Sequence, residues 1–118
     1  MPVRGIRGAT SVARNDPHVV IDATRELLEA IVSANALSTD DIASVIFTVT
    51  PDLTSEYPAR AARTLGWTDV ALLGAAEIDV AGGLPRCIRV LLHVNTTCAA
   101  RDIKHIYLHD ARRLRPDR

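Results

Sequence analysis

The chain has 118 residues, 47% apolar and 24% charged, and its 14 basic and 14 acidic side chains leave no net charge. That is enough chain for one hydrophobic core, so residues 1–118 read as a single domain. A neutral balance argues against general nucleic-acid affinity, 3% aromatics are too few for a base-stacking platform, and no apolar run reaches the length of a membrane span; neither nucleic acid nor membrane is expected as a partner.

The opening MPVRGIRGA has no apolar segment of signal-peptide length, which makes the cytoplasm the default location. Cys87 and Cys98 form neither a disulfide framework nor a zinc pattern. Lys104 is the only lysine. Every other basic side chain is arginine, a bias that genomic base composition explains but that also suits bidentate recognition of carboxylate or phosphate.

Residues 2–10, PVRGIRGAT, predict a short strand. Arg4 and Arg7 lie three apart and point to opposite faces of it, so they cannot share one job. Gly5 and Gly8, on either side of Arg7, allow close approach of a ligand or a neighbouring backbone. Asp16-Pro17 opens a helix, with Asp16 as N-cap and Pro17 in the first position. Its apolar stripe, Val20, Leu27, Leu28, Ile31 and Ala34, carries it to about Ala34. Arg25 and Glu29 are spaced to pair, Asn35 is a C-cap, and Ser38 with Asp41 resembles a capping box for one more turn.

Ala43 to Thr50 is rich in β-branched residues and predicts a strand, ended by Pro51-Asp52. Pro58 starts a short helix, PARAARTL, closed by Gly66. Arg60 and Arg63 share one face of it, as solvated surface or as a carboxylate-steering patch. Asp69 to Leu73 is a further strand. Next comes AEIDVAGGLPRCIRVLL, from Ala76 to Leu92, with an acid at Glu77 and a turn at Gly82 to Pro85. Beyond the turn, Ile88, Val90, Leu92 and Val94 fall on one face of a strand, and Arg89, Leu91, His93 and Asn95 on the other. A guanidinium on such a strand needs a partner. Two readings of Arg89 stay open: an ion pair with Glu77 or Asp79, or the fixed cation of an anion site with Glu77 as its polar counterpart. A last strand runs from Ile103 to Leu108, with Ile106 and Leu108 on one face and His105, Tyr107 and His109 on the other. A basic tail follows.

This order predicts an α/β (α+β) fold, a mixed five-stranded sheet with one long and one short helix. Two helices do not cover both faces of such a sheet, and an exposed face bearing arginines points to an oligomer. The chain carries no phosphate loop, no dinucleotide fingerprint, no metal-ligand spacing and no recognisable nucleophile setting. No metal or cofactor is expected. Arginines, a glutamate and a tyrosine remain, a set that binds and orients a small polycarboxylate and stabilises charge developing on an oxygen.

Six blocks in order, VRGIRGAT at 3–10, TPDLTS at 50–55, YPARAAR at 57–63, GGLPRCIRV at 82–90, HIYL at 105–108 and LRPD at 114–117, carry a resemblance over essentially the whole chain. It resembles a monofunctional chorismate mutase of the trimeric α/β-barrel class. The resemblance implies rearrangement of chorismate to prephenate, for phenylalanine and tyrosine biosynthesis, by a homotrimer whose packed sheets form a pseudo-α/β-barrel with active sites in clefts between subunits. Carried over, Arg7 would bind a substrate carboxylate. Arg89 would sit by the breaking ether bond and a carboxylate. Glu77 would hydrogen-bond the ring hydroxyl, and Tyr107 the side-chain carboxylate. Tyr57 stands where the family usually has a phenylalanine packed on the ligand. Arg60, Arg63 and Arg115 would supply positive potential at the mouth, Leu114 a tail contact, and Leu73, Gly74, Ala75 and Ala76 the floor. The family generally has a small polar side chain three residues before the glutamate; here that position is Gly74.

Such a reaction needs orientation and a fixed charge, not a base, nucleophile or metal. Two rival readings use the same arginines: a trimeric carboxylate-metabolite-binding protein without turnover, and an enzyme resembling the imine deaminases, which share a trimeric α/β architecture. Glu77 combined with Arg89 and Tyr107 is what favours the mutase over both.

Overall fold

The computed structural model of the chain describes residues 1–114. Five strands, β1 (Val3–Ser11), β2 (Ile42–Val49), β3 (Ala71–Ala76), β4 (Cys87–Asn95) and β5 (Ile106–Tyr107), form one mixed sheet in the order β3-β2-β4-β1-β5. The central strand β4 is antiparallel to both β1 and β2, while β3 and β5 join the two sides in parallel. The long helix α1 (Pro17–Asn35) lies across one face, and the short helix α2 (Ala59–Thr64) packs beside it. The expected mixed sheet with one long and one short helix is the observed one.

Local chemistry sets the ends of α1. The Asp16 carboxylate accepts from the His18 and Val19 N–H groups at 2.9 and 3.2 Å, and Pro17 in the first turn has no N–H to satisfy. At the other end the expectation of an Asn35 cap is corrected. Ala36 takes the left-handed position, at φ 51, and its N–H returns to the helix carbonyls. The Asn35 amide does donate to the Ile31 carbonyl of the last turn at 3.0 Å, and it also exchanges two 2.9 Å hydrogen bonds with the backbone of Lys104, tying the helix end to the segment before β5. That tie helps explain why the last strand is two residues long instead of the expected 103–108: the groups of Lys104 are spent on α1. The third strand also shifts, from the expected 69–73 to Ala71–Ala76. Residues 66–68 are used in a turn, in which Trp67 N–H reaches the Ala62 carbonyl and Thr68 N–H that of Gly66. Arg25 and Glu29 do not pair; the arginine–carboxylate pairs among the described residues are Arg60–Glu56 and Arg89–Glu77, and His109 Nε2 lies 2.8 Å from Glu26 Oε1.

The core lies between the sheet and α1. Leu27, Leu28 and Ile31 of the helix meet Ile6, Val45, Phe47, Val90, Leu92 and Val94, all buried. The alternation expected from Ile88 to Asn95 holds, while Cys87 at the start of the strand is buried beside Ile88. Strand register then arranges the opposite, helix-free face in cross-strand rows. One row reads Arg7, Leu91, Ile46, Leu73, and the next Ala9, Arg89, Thr48, Ala75. Leu73 and Leu91 on this face are exposed. No helix among the described residues is long and apolar enough to cross a membrane.

Gly8 shows how closely strand and helix approach. A Cβ there would lie 2.7 Å from Ile31 Cδ1, 3.1 Å from Val90 Cγ2 and 3.2 Å from Leu27 Cδ1, all belonging to buried side chains. Gly8→Ala therefore overpacks the seam directly behind Arg7. Denaturant unfolding should show it less stable by about 1–3 kcal/mol; an unchanged midpoint would mean that α1 backs away freely.

Candidate active site

Arg89 projects from the middle of the sheet onto the helix-free face. Its strand is hydrogen-bonded on both sides and its own neighbours, Ile88 and Val90, are buried in the core, so the backbone beneath the charge is fixed. Of the two acids proposed as partner, Glu77 is the one found: its Oε2 lies 3.3 Å from Arg89 Nε, with the two side chains 21% and 46% exposed respectively. Glu77 follows directly on β3, and its N–H donates to the Val49 carbonyl at 3.0 Å, continuing the parallel ladder by one residue. The same Oε2 accepts a 2.7 Å hydrogen bond from the Thr48 hydroxyl, and Oε1 receives the Ile78 N–H at 3.3 Å.

Arg7 reaches this face from β1, opposite Leu91, and its backbone N–H donates to His105 Nδ1 at 2.9 Å. Tyr107, on β5 opposite Ala9, packs with Ala9, Cys87 and Ala111. Arg7, Glu77, Arg89 and Tyr107 together line one cavity of about 330 Å³, with Thr48 and Leu91 in its wall. An adjoining cavity of about 410 Å³ shares Glu77 and Arg89 and is closed by the 78–85 loop and Leu114, from the 3-10 turn His109–Leu114. The Cys87 thiol lies beside these groups. Burial pushes its pKa up against the pull of the Arg89 guanidinium, so it stays protonated at neutral pH.

The other expected site residues are elsewhere in the chain. Tyr57, Gly74, Ala75 and Ala76 line a separate cavity of about 710 Å³, together with Phe47 and Pro58. Gly74 pairs with Phe47, and a Cβ there would meet nothing within 4 Å. Leu73 is exposed on the helix-free face, while Arg60 and Arg63 are exposed on α2; none of the three lines these cavities. Arg60 is held by Glu56 at 3.0 Å. Arg115 lies outside the described residues.

Thr48 is absent from the set expected from sequence. Its strand was legible from the β-branched run of residues 43–50. What faces it across the sheet depends on the β2–β4 register, which contains a bulge between Ile42 and Ser44, and no local pattern encodes that.

Fixed cations, one carboxylate and a phenol around a small cavity are chemically suited to an anionic small molecule. Comparison with known proteins makes the class specific. Residues 3–118 match the family model described as chorismate mutase type I. The chain is 52% identical over 116 residues to chorismate mutase AroH of Thermus thermophilus, covering 98% of this chain and 95% of that protein. It is 42% identical over 118 residues to chorismate mutase AroH of Bacillus subtilis (strain 168), covering 99% and 93%. The structure of a chorismate mutase from Clostridium thermocellum superposes with a TM-score of 0.91 at 50% identity, covering 92% of this chain and 96% of that one. The chain belongs to the chorismate mutase type I family.

The entry to β4 is held by a compact polar clamp. The Thr50 hydroxyl and the Arg86 N–H both donate to the Asp52 carboxylate, at 2.6 Å and at 2.9–3.1 Å, while Arg86 Nε donates to the Val12 carbonyl at 3.0 Å. This holds Arg86 at φ 49, a costly conformation for a side chain of its size. Partial desolvation pushes the Asp52 carboxyl up, but the hydrogen bonds outweigh it and hold the pKa below the ordinary carboxylate value. A depressed carboxylate contributes stability above its unfolded pKa and loses it as pH falls through the folded one. Asp52→Ala should therefore melt a few degrees below wild type at neutral pH, and the gap should close as pH drops below about 4. A gap that persists unchanged in acid would mean the carboxylate's charge is not what secures the clamp.

Proposed function

We propose that the chain is a chorismate mutase that converts chorismate to prephenate in aromatic amino-acid biosynthesis, with Arg89, Glu77 and Arg7 as its catalytic residues. The observation that carries this is the convergence of two guanidinium groups, one carboxylate and one phenol on a single cavity, three of them on paired strands. The reaction is unimolecular: an ether C–O bond breaks as a C–C bond forms. The enzyme must hold a flexible dianion in a compact conformer, which is an orientation effect. It must also stabilise negative charge growing on the ether oxygen, which a fixed guanidinium does without reorganising. Arg89 serves the ether oxygen and a carboxylate, Arg7 a second carboxylate, Glu77 the ring hydroxyl, and Tyr107 the side-chain carboxylate. A cytoplasmic location suits this role.

The same reading makes the protein a homotrimer with sites shared between subunits. Two observations support it. The helix-free face is uncovered and carries exposed Leu73 and Leu91. Within one chain, Tyr57 and Gly74 to Ala76 line a different cavity from Arg7, Glu77, Arg89 and Tyr107. A neighbour's Tyr57 side, with Arg60 and Arg63 at the mouth and Leu73 to Ala76 as floor, would complete the Arg89 side, and Leu114 and Arg115 would close over it.

Loss of chorismate absorbance on mixing with pure protein tests the activity directly. Arg89→Lys should keep the fold but lower kcat by about 10²–10³, because a lysine cannot serve two oxygens with one planar fork. A lysine variant within about threefold of wild type would remove Arg89 from the mechanism. Unfolding and reassembling Arg89→Ala together with Arg63→Ala should regenerate some intact sites; reassembled trimers that stay inactive would mean the sites are not shared.

A further inference from the structure

Thr48 Oγ1 and Arg89 Nε approach one and the same oxygen, Glu77 Oε2, at 2.7 and 3.3 Å. The shorter contact is the hydroxyl's. A carboxylate beside a guanidinium ordinarily turns to present both oxygens to two N–H groups, the strongest geometry the pair has. Here it does not. Its nearest approach is a single loose contact at Nε, while Oε1 is turned toward the Ile78 N–H at 3.3 Å. Thr48 and Arg89 are cross-strand partners of β2 and β4, so the hydroxyl sits beside the guanidinium by register, not by a flexible reach.

We infer that Thr48 is a positioning residue whose hydroxyl holds Glu77 back from a two-point ion pair and so keeps the terminal N–H groups of Arg89 free for substrate. An ionised carboxylate has no proton, so the hydroxyl must be the donor, and it can donate to only one acceptor at a time. While it donates to Glu77 Oε2, that oxygen is partly satisfied and the carboxylate plane is set. Without it, Glu77 gains by swinging onto Arg89 as a fork. The guanidinium would then be neutralised in the ground state and would have to break that pair to meet charge developing on the reacting oxygen. The cost would fall on turnover more than on substrate capture. This inference rests on the catalytic role proposed above for Arg89.

Thr48→Val preserves the shape and strand preference of the side chain and removes only the hydroxyl; Thr48→Ala is a second hydroxyl-free variant should valine pack badly, and Thr48→Ser keeps the donor. Both hydroxyl-free variants should lose about tenfold in kcat with KM changed less than about threefold, at an unchanged melting temperature, and Thr48→Ser should retain about half of wild-type kcat or more. Hydroxyl-free variants that keep half of wild-type kcat would overturn the inference. So would a Thr48→Ser variant that falls with them, or a loss confined to KM. A crystal structure of Thr48→Val separates this from the functional reading. Glu77 should have turned to pair both oxygens with Arg89 whether or not the wild-type protein consumes chorismate, and a carboxylate left in place would refute the inference on geometry alone.

Discussion

The structure depends on holding one positive charge still. Arg89 sits on the central strand of the sheet, with β1 bonded to one edge of its strand and β2 to the other, and with the flanking side chains sealed into the core beneath it. A guanidinium fixed in this way loses little freedom on meeting an anion. A loop arginine would have to be ordered at the moment of use, and ordering a long side chain costs on the order of 1–2 kcal/mol. The rigidity has a requirement of its own: a charge only half exposed must be balanced. Glu77 supplies the balance from a strand end that the parallel β2–β3 ladder brings to the same edge of the site. Because both groups keep contact with solvent, their attraction is that of a screened pair, strong enough to orient and too weak to lock.

Topology does the rest of the assembly. β2 and β3 run parallel, so their carboxyl ends reach the site together, and Thr48, Val49 and Glu77 gather there. β1 and β5 are also parallel, which brings Tyr107 beside Ala9, one row from Arg7. The antiparallel partner β4 enters at that end, and for this reason the clamp of Thr50, Asp52 and Arg86 sits only a few residues from Arg89. Cys87 N–H donates to Thr50 Oγ1 and Thr50 N–H to the Cys87 carbonyl, so the clamp is bonded to the first residue of the strand itself. The site is therefore supported from behind by Gly8 against α1, from below by the Thr50–Asp52 turn, and from the side by Tyr107 and Ala111.

Much of this was legible in the sequence wherever the signal is local. The alternation from Ile88 to Asn95 marked the inward and outward faces of β4, and Asp16-Pro17 marked the start of α1 through capping chemistry. Local signals failed where a distant partner decided the outcome. Asn35 suits a helix terminus, yet Lys104 claims its side chain and Ala36 takes the left-handed turn. The pattern from Ile103 to Leu108 is that of a full strand, but the same tie and the left-handed His109 that follows, bonded to Glu26 of α1, confine ladder pairing to two residues. Arg7, Arg89 and Tyr107 lie within the blocks that carry the resemblance, while Glu77 was singled out as the acid before the Gly82 to Pro85 turn; the structure brings the four to one cavity. Thr48 was not singled out, since its contact with Glu77 and its place beside Arg89 depend on which residue faces it across the sheet.

The fate of the chain's conventional catalytic groups bears on what kind of chemistry the site is built for. Cys87 is buried and held as a thiol. His93 is occupied with the Ser44 hydroxyl at 3.0 Å, His105 accepts from the backbone of Arg7, and His109 reaches Glu26 across the surface. These four side chains are thus given to structure, including the support of the Arg7 backbone. The cavity is left to two guanidiniums, a carboxylate and a phenol. Such a set can orient a dianion and meet charge as it appears on an oxygen, and those are the two demands of a rearrangement that transfers no proton and forms no bond to the enzyme. With proton transfer excluded from the task, geometry is the only variable left to tune. In this structure that geometry sets Glu77 Oε2 at 3.3 Å from Arg89 Nε and 2.7 Å from the Thr48 hydroxyl.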